Sequence, residues 1–350
     1  MISLRGLLVE DLKEILFSSP RIAIIFHWDS DGIASASMLK EVLESNGAEV
    51  LSIVPTIGYY NVDAIPLSKI KEFNPDLIIV ADYALKPWDL EQLEYEITTP
   101  VMVVDHHLNR LPEKPLYHNP VARGLPGELY PSTTWVLREL LGLDVNLRVL
   151  LGIAGDCGVK AEDTPLWDTI RYVLESHGWN WDKIIGLVEL VDSNYRLGDY
   201  EGILRAVDKL ISYGDNLDNA LEDKEWVRKK KVVDEEVNRI MESGPDKILG
   251  NILVYRVESK YYIASTITRR FTLKHQDKVV VVAFKHLGEG PCHVYIRSWR
   301  YDLSPILSLL LLRKYEVGGK KEVVALTVDC KILEQALQDV LEVIEEVLEV

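Results

Sequence analysis

Apolar and polar residues fall into short alternating blocks over the first 160 positions. RIAIIF (21–26), AEVLSIVPT (48–56), DLIIVAD (76–82) and VMVV (101–104) are β-rich apolar runs, and each reads as a strand. Between them GIASASMLKEVLESNG, AIPLSKIKEF and DLEQLEYEI read as helices, the first stopping at Asn46-Gly47. Continuous apolar strands separated by helices predict a parallel sheet covered by helices on both faces. After Ser132 the pattern turns helical through TTWVLRELLG and LRVLLGIAGDCG to about residue 213.

Residues 219–243 are highly charged with sparse apolar positions, as expected of an exposed connecting helix. Beyond them ILVYRV, YYIAS, KVVVVAF, HVYIRS and VVALTVD read as strands, with helices at DLSPILSLLLLRKY and ILEQALQDVLEVIEEVLEV. The fold class is therefore α/β. Residues 1–195 form the parallel-sheet domain, 196–245 a helical linker, and 246–350 a smaller C-terminal α/β domain.

Charge sharpens this division. The chain carries a net charge of −16, yet Asn251–Lys321 holds 13 Lys and Arg against 5 Asp and Glu, so the remainder carries −24. One region is built to meet an anion and the other to hold cations or face water. No apolar run is long enough to span a membrane, and MISLRGLLVEDLKEILF makes a poor signal peptide, so a cytoplasmic protein is expected. The three cysteines, Cys157, Cys292 and Cys330, are widely spaced and suggest buried small side chains rather than a disulfide framework or a zinc site.

Ligands of open parallel sheets bind beyond the carboxyl ends of the strands. His27, Asp29 and Asp31 in HWDSDG follow the first strand, Asp82 ends the third, and Asp105, His106 and His107 end the fourth. Read singly, Asp31 fits a helix N-cap and Asp82 a turn residue. Read together, three strand ends deliver carboxylates and imidazoles to one sheet edge. Many carboxylates, few imidazoles and no thiolate suit manganese or magnesium before zinc. Two ions about 3.5–4 Å apart, bridged by a shared Asp, balance that charge and form a centre for phosphoryl hydrolysis.

HWDSDG, Asp82 in VADY, VDHH at 104–107 and GDCG at 155–158 resemble the four successive motifs of the DHH phosphoesterase superfamily. The resemblance covers about residues 20–160. It implies that His27 and Asp29 bind one Mn²⁺, that Asp31, His106 and Asp156 bind the other (Mg²⁺ being the alternative ion), and that Asp82 bridges both. It further implies Asp105 as a partner orienting an imidazole and His107 as a donor beside the scissile phosphate. Asp156 as a ligand rests on this pattern alone. Ser132 and Thr133 open a helix between the third and fourth motifs and suit an N-cap.

In the basic segment, Arg297 and Ser298 of CHVYIRSWR, followed by a paired-glycine turn at Gly318, Gly319 and Lys320, resemble the DHHA1 domain of one branch of the superfamily. That implies an arginine pairing with a substrate phosphate or carboxylate and backbone N–H groups at close range. The chain departs from the pattern at Lys320, where the family usually has a histidine. The resemblance points to RecJ-like exonucleases and to the nanoRNase and pAp-phosphatase group, and away from the manganese pyrophosphatases. A small pocket, basic on one wall and metal-bearing on the other, suits short single-stranded oligonucleotides or nucleotide phosphates. A RecJ-like enzyme on longer strands and a non-catalytic scaffold of a replication complex are the alternatives. No membrane partner is expected. The oligomeric state stays open, a homodimer included.

Overall fold

The computed structural model describes residues 9–108, 114 and 116–348. The start of the segment read against a signal peptide and the last two residues of the segment read from sequence as a C-terminal helix lie outside these. The chain divides into two units, Met1–Tyr195 with Asp199–Val227 and Arg196–Gly198 with Arg228–Val350. Among the described residues no helix is long and apolar enough to cross a membrane.

The first unit is organised by strands β1 (Arg21–Phe26), β2 (Glu49–Ile53), β3 (Leu77–Ala81), β4 (Val101–Val104) and β5 (Tyr117–His118). They form one sheet in the order β2-β1-β3-β4-β5, every neighbouring pair parallel. All residues of β3 and β4 are buried, and β1 is buried from Ile22 on, which is why these strands read as unbroken apolar runs. Helices α1 (Val9–Ser18), α2 (Ser30–Ser45), α3 (Leu67–Phe73), α4 (Pro87–Glu96), α5 (Thr133–Leu141), α6 (Leu147–Cys157), α7 (Trp167–His177), α8 (Trp181–Arg196), α9 (Tyr200–Tyr213) and α10 (Leu217–Leu221) accompany the sheet.

Helix α2 is the hub of this unit. Ser30 to Leu39 are all buried, and α2 packs against α5, α6 and α9. Its run of Ala34, Ser35, Ala36 and Ser37 keeps side chains short, so that several helices approach one axis. Helix α9, within the stretch read as linker, buries Ile203, Ala206, Val207 and Leu210 on an amphipathic face.

The next helix, α11 (Lys224–Met241), matches the expected helix at 219–243, but it is not merely solvated: Trp226 is fully buried, as are Val233, Val237 and Ile240 at helical spacing. The second unit continues with β6 (Lys247–Leu249), β7 (Ile252–Ser259), α12 (Ala264–Lys274), β8 (Val279–His286), β9 (Cys292–Ser298), α13 (Ser304–Leu312), β10 (Glu316–Lys320), β11 (Val323–Val328) and α14 (Leu333–Leu348). The sheet order is β10-β11-β9-β8-β7-β6, with β7 and β8 parallel and the other pairs antiparallel. Val294, Ile296, Val324 and Leu326 pack on one face with α13 and α14; Val280, Val282 and Phe284 pack on the other with α11 and α12.

Three readings of this half are corrected. YYIAS is not a strand: Ile263, Ile267 and Phe271 recur at a spacing of four and are buried on one side of α12, so helical periodicity overrides local β-propensity. Gly318 and Gly319 form no turn but lie inside the edge strand β10, opposite Ala325 and Val324; the chain reverses at Lys321-Glu322. A side chain at Gly319 would meet the Val323 carbonyl oxygen at 2.3 Å, so this glycine serves a close approach between strands. Finally, Cys292 and Cys330 are joined in a disulfide, with Cα atoms 5.0 Å apart. Cys292 pairs with Val328 across β9 and β11, and the chain leaving β11 brings Cys330 back to it, a proximity that sequence spacing does not reveal.

Candidate metal centre

The strands β1, β3 and β4 are immediate neighbours, so the residues that follow them meet at one edge of the sheet. The ladder continues one step past each strand end: His27 N–H donates to Ala81 O (3.4 Å), Asp82 N–H to Val104 O (3.1 Å) and Asp105 N–H to His118 O (3.2 Å). The backbone of each motif is thereby fixed by its neighbour. Asp82 then enters the left-handed region with φ 59°, and Ala84 follows at φ 48°. Such conformations persist where surrounding contacts over-determine them, and Ala84 N–H is held by Asp105 Oδ2 at 3.1 Å.

Two sets of side chains result. His27, Asp29 and Asp82 offer ligand atoms within 4.8 Å of one another, and so do Asp31, His106 and Asp156. Asp82 borders both, with Oδ2 4.0 Å from His27 Nδ1 and Oδ1 3.7 Å from His106 Nε2. A third set, Asp82 with His106 and His107, overlaps them. His106 Nε2 lies 2.8 Å from Asp156 Oδ2 and 4.0 Å from Asp31 Oδ2. Its Nδ1 stands 3.2 Å from the Tyr130 carbonyl, which can only accept a hydrogen bond, so Nδ1 carries a proton and Nε2 faces three carboxylates. That nitrogen is buried and makes no hydrogen bond of proper geometry among the described residues.

Asp29, not Asp31, caps α2, accepting Gly32 N–H at 3.2 Å. Asp31 sits in the first turn, 1 % exposed, and accepts the N–H groups of Thr133 (2.7 Å) and Thr134 (3.1 Å) at the start of α5. Ser132 is the N-cap of α5, as its position suggests, accepting Trp135 N–H at 3.2 Å. Thr133 does more than open the helix, since its hydroxyl donates to Asp82 Oδ1 at 2.8 Å. Asp105 organises its own turn: Oδ1 accepts from His106 N–H (2.7 Å) and His107 N–H (3.0 Å), and the His107 ring nitrogen Nδ1 lies 2.7 Å away. The His107 side chain is 43 % exposed, unlike the other members of the cluster.

Helix α6 brings Asp156 to the site from outside the sheet. A side chain at Gly152 would lie 2.1 Å from Thr134 Oγ1 and 2.2 Å from Asp31 Oδ1, and one at Gly155 would lie 2.4 Å from Ser30 Oγ. The glycines of LLGIAGDCG thus permit the approach that places Asp156. The residues that sequence reasoning missed support rather than form the cluster. Asp192 on α8 accepts Ser30 N–H at 2.9 Å and pins the HWDSDG turn, and Tyr60 Oη lies 3.1 Å from His27 Nε2. Neither stands in a motif.

Burial and Asp156 push the Asp31 carboxyl up to about 6, and burial with Asp31 and Asp29 pushes Asp82 well above the carboxylate range. Burial opposes the His106 imidazolium, but Asp156 and Asp31 outweigh it and hold that group at about 9; His27 is raised likewise, burial being outweighed by Asp29. For Asp105 burial is outweighed by His107 and its hydrogen bonds, and the carboxyl is driven below its usual range. Without cations the carboxylates near His106 must share protons. The donor set fits divalent ions, which would neutralise it.

In the second unit, Arg297 lies on β9 opposite Val323 of β11, and Val323 lies opposite Lys320 of β10. Cross-strand partners share a face, so Arg297 and Lys320 lie in one row across three strands, with Val323 between them. Arg297 Nε is buried without a hydrogen-bond partner among the described residues. Burial and the neighbouring Arg269 lower its guanidinium to about 10. Ser298 is fully buried: its hydroxyl donates to Lys278 O at 3.1 Å and accepts the N–H groups of Arg300 and Tyr301 at 3.2 Å, which commits it to the turn.

A parallel α/β unit that gathers carboxylates and imidazoles at the ends of three adjacent strands defines a protein with a site for divalent cations. Residues 21–149 match the DHH family, N-terminal domain, so this part of the chain carries a DHH-type domain. It is 25 % identical over 190 residues to the single-stranded-DNA-specific exonuclease RecJ of Bacillus subtilis (strain 168), a match covering 53 % of this chain and 23 % of that protein. The fold is similar to RecJ in complex with Mn²⁺ from Thermus thermophilus (TM-score 0.66, 18 % identity, 95 % of this chain and 53 % of that one). It is also similar to an exonuclease RecJ bound to manganese (TM-score 0.62, 18 % identity, 97 % of this chain and 95 % of that one). The chain thus spans about half of the Thermus protein and less than a quarter of the Bacillus one.

Proposed function

We propose that the protein is a Mn²⁺-dependent phosphodiesterase that hydrolyses short single-stranded oligonucleotides or nucleotide phosphates. The observation that carries this reading is the pair of ligand sets, His27–Asp29–Asp82 and Asp31–His106–Asp156, meeting at Asp82. Cations held by these two sets would neutralise charge at the phosphoryl oxygens and would supply Lewis acidity for hydrolysis by water. The remaining roles fall to the chain. Asp105 accepts from His107 Nδ1 and fixes the ring; in its imidazolium form His107 would donate through Nε2 to a phosphoryl or leaving oxygen. Thr133 and the first N–H groups of α5 hold Asp82 and Asp31 in place, so little reorganisation is needed when substrate binds.

The proposed assignment extends to the smaller C-terminal unit, read as a DHHA1-like domain from residue 246, with 196–245 as linker. There Arg297, with Lys320 in the same row and Gly318 and Gly319 beside it in β10, would contact a phosphate or carboxylate of the substrate. Ser298 supports the turn after β9. The −24 charge outside residues 251–321 favours a short substrate over a long strand, which would want an extended basic groove. The similarity to RecJ supports a second reading, a processive exonuclease on longer single strands.

Purified protein with millimolar Mn²⁺ is offered dinucleotides, a long labelled single strand and a nucleoside 3′,5′-bisphosphate. Turnover confined to the short substrates is the expected result. A ladder of products from the long strand would favour the second reading, and hydrolysis of none would overturn both.

A further inference from the structure

The ring of His27 is addressed from both sides. Nδ1 lies 2.8 Å from Asp29 Oδ2 and 4.0 Å from Asp82 Oδ2, so this nitrogen faces the carboxylates of its set. Nε2 points the other way and lies 3.1 Å from Tyr60 Oη. An imidazole that ligates through one nitrogen carries its proton on the other, and that N–H needs an acceptor to fix tautomer and ring plane.

Tyr60 is built to stay in place. Its ring stacks on His27 with centroids 5.6 Å apart and planes at 25°, and on Tyr83 with centroids 5.9 Å apart and planes at 22°. Trp28 closes the group at 5.3 Å from Tyr60. The chain beyond it is pinned by Asp89, which accepts Val62 N–H at 3.2 Å, and by Asn61, which accepts Ala64 N–H at 3.0 Å. Tyr83 Oη donates to Tyr59 O at 2.6 Å, securing the preceding residue as well.

We infer that Tyr60 is a positioning residue for His27: its phenol oxygen accepts the Nε2 proton, leaving Nδ1 unprotonated toward a cation held with Asp29 and Asp82. The inference rests on the metal-centre reading and adds a residue that no motif contains. A neutral acceptor also suits the place. A carboxylate there would add negative charge to a cluster already crowded with carboxylates, whereas a phenol orients the ring without doing so.

The test is calorimetric titration of the 350-residue chain with Mn²⁺, comparing the unmodified chain, Tyr60→Phe and Tyr83→Phe. Tyr60→Phe keeps the stacked ring and removes only the oxygen. It should weaken one binding event by about 10- to 100-fold, the usual cost of losing an outer partner of a ligating histidine. Tyr83→Phe removes a neighbouring buried phenol that bonds the Tyr59 carbonyl and not His27, so it should cost less than about 10-fold in affinity. A loss equal to that of Tyr60→Phe would mean general loosening of the aromatic cluster and overturn the inference. In the Mg²⁺-loaded protein, two-bond ¹H–¹⁵N correlation should show the His27 proton on Nε2. Equal affinity of Tyr60→Phe and the unmodified chain, or a proton on Nδ1 in the loaded protein, would overturn the inference alone. Failure of the unmodified chain to bind any divalent ion would overturn it together with the metal centre.

Discussion

The ends of β1, β3 and β4 and the row across β9, β11 and β10 are opposite solutions to placing charge in a fold. At the first, Asp31, Asp82 and Asp105 are buried, each held by backbone N–H groups or a hydroxyl, and cations would relieve their mutual repulsion. At the second, Arg297 is partly buried with its Nε unpaired among the described residues, and its companion Lys320 is exposed on an edge strand. The contrast teaches where rigidity is needed. Anions that must share one or two ions need sub-ångström placement, which three ladder hydrogen bonds and a helix N-terminus supply. A cation meeting a phosphate needs reach more than a fixed position.

If that contrast is right, damage to the carboxylate side should be the more severe. The largest effect is expected for Asp82→Asn, which keeps a side chain tolerant of the left-handed backbone while removing the shared charge. Its kcat/KM should fall by more than about 100-fold, exceeding what loss of an outer partner costs. In chelator its Tm should hold or rise, because a strongly repelled carboxylate has gone. Near-normal turnover would remove Asp82 from its bridging role. Thr133→Val should come next. It deletes the hydroxyl at 2.8 Å from Asp82 Oδ1 without changing the fold of α5, and Mn²⁺ affinity should drop by about 10- to 100-fold. An unchanged binding isotherm would show that Asp82 is held by backbone alone.

How well each region could be read from sequence follows the same division. The first sheet was legible because fully buried parallel strands leave unbroken apolar runs, and the strand-end rule then collects His27, Asp29, Asp82 and Asp105–His107 without a template. Asp156 was not legible in this way, since it arrives on α6 through the packing of Gly152 and Gly155, and packing leaves no local pattern. Tyr60 and Asp192 were hidden for the same reason. In the second unit, local propensity misled. YYIAS is rich in β-formers yet leads into a helix, and Gly318-Gly319 reads as a turn when glycine is instead tolerated on an exposed edge strand. The Cys292–Cys330 pairing depends on a β-register that only the folded sheet defines.

The cationic row should give a gentler response. Arg297→Gln removes the charge but keeps much of the stem. For a phosphate-terminated substrate KM should rise by roughly 10-fold, the scale of one charge-assisted hydrogen bond, with Mn²⁺ affinity unchanged. Equal KM for the two proteins would leave the row without a part in substrate binding. A drop in metal affinity would instead mean that the variant disturbs the fold as a whole.

The last effect concerns stability, and its sign follows from the protons the cluster retains. Asp31 is pushed up to about 6 and His106 to about 9 in the folded chain, both above their ordinary values. The folded state therefore binds more protons than the unfolded one between about pH 4 and 6 through Asp31, and between about pH 6.5 and 9 through His106. Stability from these groups is fully present below the unfolded values and is lost as pH rises through the folded ones. In chelator, Tm should thus decline steadily from weakly acidic to alkaline pH. Adding Mg²⁺ should flatten the decline, because the cation replaces the departing protons as counter-charge, with a gain of about 2.7 kcal/mol at a hundred times Kd. A metal-free Tm that rises across this window would mean that the carboxylates do not repel one another as their burial and spacing require.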